Sequence, residues 1–279
     1  MFTLAVCNHK GGTGKTTSTI HIGAALGLSG YRTLVIDLDP QGFLTRMLGI
    51  SEPSPENSCL ALFNHEVDIR SLPVQRLKSF DLLPSTSLLS KVMRKLNKPT
   101  DVLWIKESLE QGATGYDAIL FDTAAAITVY SLNALVASSY ILIPVMPEYQ
   151  PVLGAEQTYQ TALMVKDKLN PRLHLPMILF TMVDGRKRNH HAYRRYLRKQ
   201  YGNRVMESII RTSTSLSVTN TDGTTVFDRE PHSRGARDYA NATDELVQSI
   251  KPIASTDPLQ PGQAEGSQEP LKPISSHDS

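Results

Sequence analysis

Lys10-Gly11-Gly12-Thr13-Gly14-Lys15-Thr16-Thr17 is the stretch on which the reading of this chain turns. Ahead of it, Phe2–Asn8 is almost continuously apolar and predicts a buried strand. Behind it, Thr17–Ser29 has the periodicity of a helix. A glycine-rich loop between strand and helix is built to bind phosphate. Its backbone N–H groups close on phosphate oxygens, and the helix directs its N-terminus at them. The loop is a variant of the Walker A pattern G-x-x-x-x-G-K-[ST] and lacks that pattern's first glycine. Lys15 is positioned to reach β- and γ-phosphates, and the Thr16 hydroxyl to bind Mg²⁺. Lys10, on the outer limb, is either a solvated lysine or a charge directed at the nucleotide of a second subunit.

Further along the chain, strand-like runs recur at Arg32–Asp37, Phe80–Pro84, Tyr116–Asp122, Tyr140–Val145 and Leu175–Val183. Runs such as AILFD, YILIPV and MILFTMV suit parallel strands covered on both faces. Helical segments at Asp101–Gln111, Tyr130–Ser138, Gly154–Leu169 and Arg234–Ile250 separate or follow them. This alternation predicts an α/β doubly wound, mostly parallel sheet flanked by helices. Residues 252–279 are rich in Pro, Ser, Gln and Gly, carry one lysine against four acids, and read as a disordered tail. The domain proper is thus expected over residues 1–251. Two cysteines, Cys7 and Cys59, are too few for a disulfide framework and fit a reducing cytosol. There is no apolar run of about 18 residues to cross a membrane. The N-terminus has no basic region ahead of its apolar run, so it does not read as a signal peptide.

Net charge conceals the next feature. The chain carries 29 Lys+Arg against 27 Asp+Glu, for a formal +2. Between Arg186 and Arg211, however, Arg186, Lys187, Arg188, Arg194, Arg195, Arg198, Lys199, Arg204 and Arg211 face one acid, Glu207. That segment holds +8, and the rest of the chain −6. A cluster of this kind points to a polyanionic partner such as DNA, bound through phosphate neutralisation. Asn189–Tyr201 reads as a helix with Arg194–Arg198 and Arg195–Lys199 at i, i+4. The alternative is a solvated charged face. Adjacent His190 and His191 lack metal-pair spacing, and Trp104 and Tyr159 read as packing residues.

The phosphate loop resembles the deviant Walker A motif of the ParA/MinD superfamily of P-loop ATPases. Asp37-Leu38-Asp39-Pro40-Gln41-Gly42 is similar to the D-x-D-P-Q-G of the ParA, or Soj-type, branch. Phe121-Asp122-Thr123, Leu132-Asn133-Ala134-Leu135, Pro147-Glu148-Tyr149, Asp184-Gly185-Arg186 and Gly235-Ala236 match in order, so the resemblance spans about residues 1–250. It implies an ATPase with ATP and Mg²⁺ as cofactors. Gly11, Gly12, Thr13, Gly14, Lys15, Thr16 and Thr17 would hold the nucleotide. Thr16 and Asp122 would hold the metal directly or through water, with Asp37 further out. Asp39 would orient the attacking water, and Lys10 would cross to the partner's phosphates in an ATP-sandwich homodimer. The resemblance also implies nonspecific double-stranded DNA binding, a ParB-like centromere-binding partner and a cytoplasmic, nucleoid-associated location. Arg211 matches a family arginine, whereas the second arginine of that pattern is replaced by Ser215. After Asp122-Thr123, Ala124-Ala125-Ala126 stands where the family commonly has Pro-Pro-Ser, which removes two φ constraints.

Rival classes fit less well. A MinD-like membrane ATPase needs a basic amphipathic C-terminal helix, and 252–279 does not supply one. Metabolic synthetases that share the loop are disfavoured by Lys10 and the D-x-D-P-Q-G string. A nitrogenase-type iron protein needs a downstream cysteine pair. A ParA-like ATPase that positions another intracellular cargo is not separable by sequence from one that segregates plasmids or chromosomes. No helix-turn-helix domain is expected ahead of the first strand.

Overall fold

The computed structural model describes residues 1–63, 71–96, 98–110, 115–216 and 222–250. In chain order the elements are β1 Phe2–Val6, α1 Lys15–Leu28, β2 Thr33–Asp37, α2 Phe43–Met47, β3 Gln75–Arg76, β4 Asp81–Leu83, α3 Leu89–Val92, α4 Trp104–Glu110 and β5 Ala118–Asp122. There follow α5 Val129–Ala137, β6 Tyr140–Val145, α6 Tyr149–Lys168, β7 Met177–Val183, α7 Arg188–Tyr201, β8 Val205–Arg211, α8 Val226–Arg229 and α9 Arg234–Ile250. The tail expected at 252–279 lies outside the described residues.

One sheet runs β3-β4-β2-β5-β1-β6-β7-β8, parallel except for the β3–β4 edge pair. This bears out the doubly wound α/β reading. β1 lies in the interior between β5 and β6, with Phe2–Val6 in register with Ala118–Asp122. The strands were apolar throughout because both faces are covered. Ala5, Ile36, Phe121, Ile143 and Phe180 point into one layer with α4, α5, α6 and α7. Their neighbours Leu4, Val6, Val35, Leu120 and Leu179 point into the other, against α1 and α9. Trp104 packs at 6.3 Å from the Phe63 ring, and Tyr159 is buried, as expected of packing residues.

β8 was not foreseen. It is an edge strand with Glu207 and Arg211 exposed, so it lacks the continuous apolar run of a central strand. The antiparallel β3 is two exposed residues long and carries no pattern. No helix among the described residues is long and apolar enough to cross a membrane.

His21, on α1, ties that helix to the C-terminal segment. Its Nδ1–H donates to the Thr17 carbonyl at 2.7 Å, and its Nε2 accepts the Val226 amide at 3.3 Å. The ring stacks on Tyr239 of α9 at 5.0 Å. Burial holds the imidazole neutral and pushes its pKa down to about 4, against a smaller upward pull from the Thr17 carbonyl. A histidine depressed on folding contributes stability that is whole above its unfolded pKa of about 6.5 and is lost as pH falls toward the folded value. Urea unfolding is therefore expected to weaken by a few kcal/mol, on the order of 3, between about pH 6.5 and pH 4. His21→Gln should flatten that slope. An unchanged slope in the variant would refute the assignment.

Candidate functional site: a phosphate loop at the carboxyl end of the sheet

β1 ends at the carboxyl edge of the sheet, where ligands bind in folds of this topology. The loop that follows is braced from three sides. Asn8 donates its Nδ2–H to the Pro144 carbonyl at 2.8 Å and accepts the Lys10 amide on Oδ1 at 2.9 Å. The His9 amide donates to Thr158 Oγ1 of α6 at 2.9 Å, and Thr181 of β7 donates to the Thr13 carbonyl at 2.8 Å. Gly12 and Gly14 have φ of 72° and 81°, a left-handed conformation that favours glycine and turns the chain into α1. The amides of the first turn of α1 are thereby left facing the loop.

The charged side chains meet inside this frame. Lys15 is buried and donates from Nζ to the Lys10 carbonyl at 3.2 Å. Burial pulls its pKa down, and the fields of Asp122, Cys7 and Asp39 pull it up. Asp122 closes β5 and is fully buried. Its Oδ2 accepts the Thr16 hydroxyl at 2.8 Å, and its Oδ1 accepts that of Thr19 at 3.1 Å. Thr19 was not singled out from sequence, although it lies one turn beyond Lys15 and so shares its helix face. Asp37, in register with Asp122 on β2, is also fully buried. Burial pushes both carboxyls up, Asp122 the more strongly because Asp37 lies beside it. Lys15 is the one buried cation among the described residues at this spot.

Asp37 and Asp39 divide their work. Asp37 accepts the Asp39 amide at 3.1 Å, and the Thr45 amide and hydroxyl at 3.0 and 2.7 Å. It anchors the loop that carries Asp39 and leads into α2. Asp39 is half-buried, accepts the Gln41 amide at 2.9 Å, and is held through its carbonyl by Ser85 Oγ at 2.6 Å. Two buried carboxylates, a threonine hydroxyl and a single lysine make a hard oxygen set short of positive charge. That donor set fits Mg²⁺ carried on phosphate oxygens. Thr16 and Asp122 are the residues that would hold it. Lys10 is exposed on the outer limb, with Gly11 and Gly12.

The basic segment is not one uniform face. α7 begins at Arg188, one residue before the expected start. Arg188, Arg195 and Lys199 are exposed and fall on a common stripe. Arg186 and Lys187 precede the helix, also exposed. Arg186 closes on Asp184 at 2.9 Å, and Lys187 lies 3.4 Å from Glu148. Three other arginines are engaged by neighbouring side chains. Arg194 lies 5.8 Å over the Phe180 ring. Arg198 pairs with Glu207 at 2.7 Å. Arg211 forks onto Asp238, which is 5% exposed, and adds its own amide at 2.9 Å. Arg194–Arg198 and Arg195–Lys199, expected to share one broad face, therefore part between an inner and an outer side.

The matches to known proteins agree with this geometry. A family profile described as an AAA domain matches residues 1–175. The chromosome-partitioning ATPase Soj of Thermus thermophilus is 33% identical over 249 residues, covering 89% of this chain and 96% of that protein. The sporulation initiation inhibitor protein Soj of Bacillus subtilis is 30% identical over 247 residues, covering 88% and 97%. In three dimensions the chain resembles a cobyrinic acid a,c-diamide synthase from Mycobacterium smegmatis solved with bound ADP and magnesium. The TM-score is 0.77 at 26% identity, over 94% of this chain and all of that one.

Gly154 shows how tightly the loop is backed. A Cβ on this α6 residue would lie 2.8 Å from Asn8 Oδ1 and 2.9 Å from Lys10 Cβ. Alanine for glycine within a helix ordinarily stabilises by about 1 kcal/mol. Here the overlap with the loop reverses the sign. Gly154→Ala is expected to destabilise by about 1–3 kcal/mol, read as a lower melting temperature. A raised melting temperature would mean that α6 does not abut the loop.

Proposed function

The chain belongs to the ParA/Soj family of P-loop ATPases, and from that premise we propose that it is an ATP-dependent DNA-partitioning ATPase. The observation that carries this reading is the meeting of Lys15, Thr16, Asp39 and Asp122 beside a loop whose outer limb bears Lys10. ATP and Mg²⁺ are its cofactors. The backbone from Gly11 to Thr17 cradles the phosphates, and Lys15 neutralises charge on the β- and γ-oxygens. Thr16 and Asp122 would hold Mg²⁺, which would supply positive charge beside the phosphate oxygens. Asp37 acts one step removed, by holding the Asp39 loop in place. Asp39 orients the water that attacks the γ-phosphorus and takes up its proton, as the bond from that phosphorus to the β-phosphate bridging oxygen breaks and ADP leaves. Phosphoryl transfer of this kind depends on positioning and charge more than on covalent help.

Lys10, exposed and without an ion-pair partner among the described contacts, suits a role across the interface of an ATP-bound homodimer. Nonspecific double-stranded DNA is the partner that the α7 stripe favours, with release on hydrolysis stimulated by a ParB-like protein. The inner and outer sides of the basic segment give the DNA reading a sharper form. Arg188, Arg195 and Lys199, with Arg186 and Lys187, are the phosphate contacts. Arg194, Arg198 and Arg211 hold the fold.

Two experiments test this. ATPase rates with and without DNA should show DNA-stimulated turnover in the wild type and loss of turnover in Asp39→Ala. DNA retention should require ATP and fail in ADP, and equal retention in both would sink the nucleotide switch. In the second, Arg195→Glu with Lys199→Glu should lower DNA affinity and reduce the slope of log K against log salt by about 2. Arg211→Ala should behave differently. It leaves the buried Asp238 carboxylate without its half-exposed partner and should cost about 1–2 kcal/mol of stability, with DNA affinity per folded molecule little changed. A stable Arg211→Ala that has lost DNA binding would reverse that division.

A further inference from the structure

The limb that carries Asp39 is held from outside the phosphate loop. Asp39 donates its amide to Asp37 Oδ1 at 3.1 Å, and its carbonyl accepts the Gly42 amide at 2.8 Å. A second donor reaches the same carbonyl from another part of the chain: the Ser85 hydroxyl, at 2.6 Å. Ser85 is buried and lies two residues beyond β4, the strand that pairs with β2. It also packs on the turn. A Cβ on Gly42, where φ is 59°, would stand 3.7 Å from the Ser85 Cβ. The Ser85 amide donates to Thr45 Oγ1 at 2.8 Å, and that hydroxyl donates to Asp37 Oδ2 at 2.7 Å. A ring of hydrogen bonds therefore closes through Asp37, Asp39, Ser85 and Thr45. Asp39 is its half-buried member, and the other three are buried.

The segment that presents Ser85 is itself fixed on both sides. The Cys59 amide donates to the Pro84 carbonyl at 2.8 Å. Glu52 Oε1 accepts the Thr86 hydroxyl and the Ser87 amide, each at 2.6 Å. Further on, the Leu89 carbonyl accepts the hydroxyl of Tyr130, a fully buried residue of α5, at 2.7 Å. A hydroxyl on so constrained a backbone does not follow the Asp39 limb; the limb follows it. Nor is this bond needed to satisfy the Asp39 carbonyl, which already has the Gly42 amide. What Ser85 adds is a fixed position, and it adds it at the residue whose charge is felt by both Lys15 and Asp122.

We propose that Ser85 is a positioning residue for hydrolysis: its hydroxyl fixes the main chain of Asp39, and thereby the place at which that carboxylate meets the attacking water. The inference rests on the ATPase reading above and deepens it by separating turnover from binding. The contacts of Ser85 named here include no residue of the Gly11–Thr17 cradle. Loss of its hydroxyl therefore costs turnover and spares nucleotide affinity. A misplacement of about 1 Å in a group that aligns the nucleophile can cost on the order of 100-fold in rate.

The test measures ATP turnover with Mg²⁺ and DNA, and ADP affinity by calorimetry, on the full chain. Ser85→Ala should lower kcat about 10- to 100-fold. KM for ATP and the dissociation constant of ADP should stay within about twofold of wild type. Ser85→Cys nearly keeps the volume but offers only a weak S–H donor. It should lose turnover as Ser85→Ala does, and it gives the same reading if the alanine variant does not fold. A side chain that merely fills space would leave Ser85→Cys at the wild-type rate. A general loosening of the site would weaken ADP in step with turnover. Either result overturns the proposal, as does an unchanged kcat in Ser85→Ala. Wild-type protein that binds ADP yet does not hydrolyse ATP, or Asp39→Ala with full turnover, would instead overturn the ATPase reading itself.

Discussion

The grip of Asp122 on Thr16 and Thr19 is the contact on which the rest of the site depends. It joins the end of a central strand to the first turn of the helix that follows the phosphate loop. A carboxylate buried beside a second carboxylate is costly, and these two hydroxyls with Lys15 are what offset it. The arrangement holds α1 at one height above the sheet. Every other brace of the loop, from Asn8, Thr158 and Thr181, presumes that height. The same excess of negative charge makes the spot receptive to a divalent cation arriving on phosphate.

Much of this was legible in the sequence because the constraints are local. Lys10–Thr17 encodes a turn with glycines where φ is positive, and the apolar runs encode strands covered on both faces. Tyr140–Val145 and Arg234–Ile250 were read to the residue, and the other strands that were expected to within two. The edges were harder. β8 mixes Glu207 and Arg211 with apolar residues, since an edge strand has solvent on one side.

The site's supporting contacts were illegible for a different reason. Thr19, Thr45, Ser85 and Gly154 are ordinary residues in sequence. Each matters through a partner far along the chain, and spacing holds no trace of that. The contacts of the basic segment were hidden in the same way. Charge counting treats nine cations alike, yet Arg198 and Arg211 are answered by Glu207 and by Asp238 on another helix. Arg194 spreads over an aromatic ring. Long cationic side chains of this kind cover apolar surface as well as carry charge.

The central position of β1 has a consequence for the order in which the molecule forms. The bonds that shape the phosphate loop close very long stretches of chain: 136 residues from Asn8 to Pro144, 106 from Thr16 to Asp122 and 168 from Thr13 to Thr181. A chain emerging from its N-terminus holds the loop sequence first and its braces last. Contacts of such high sequence separation are slow to make, because the closure entropy is spent before they return anything. Nucleotide affinity in this fold is therefore a late event in folding. It reports that β5, β6 and β7 have all docked, and no N-terminal fragment ending short of β7 can reproduce it.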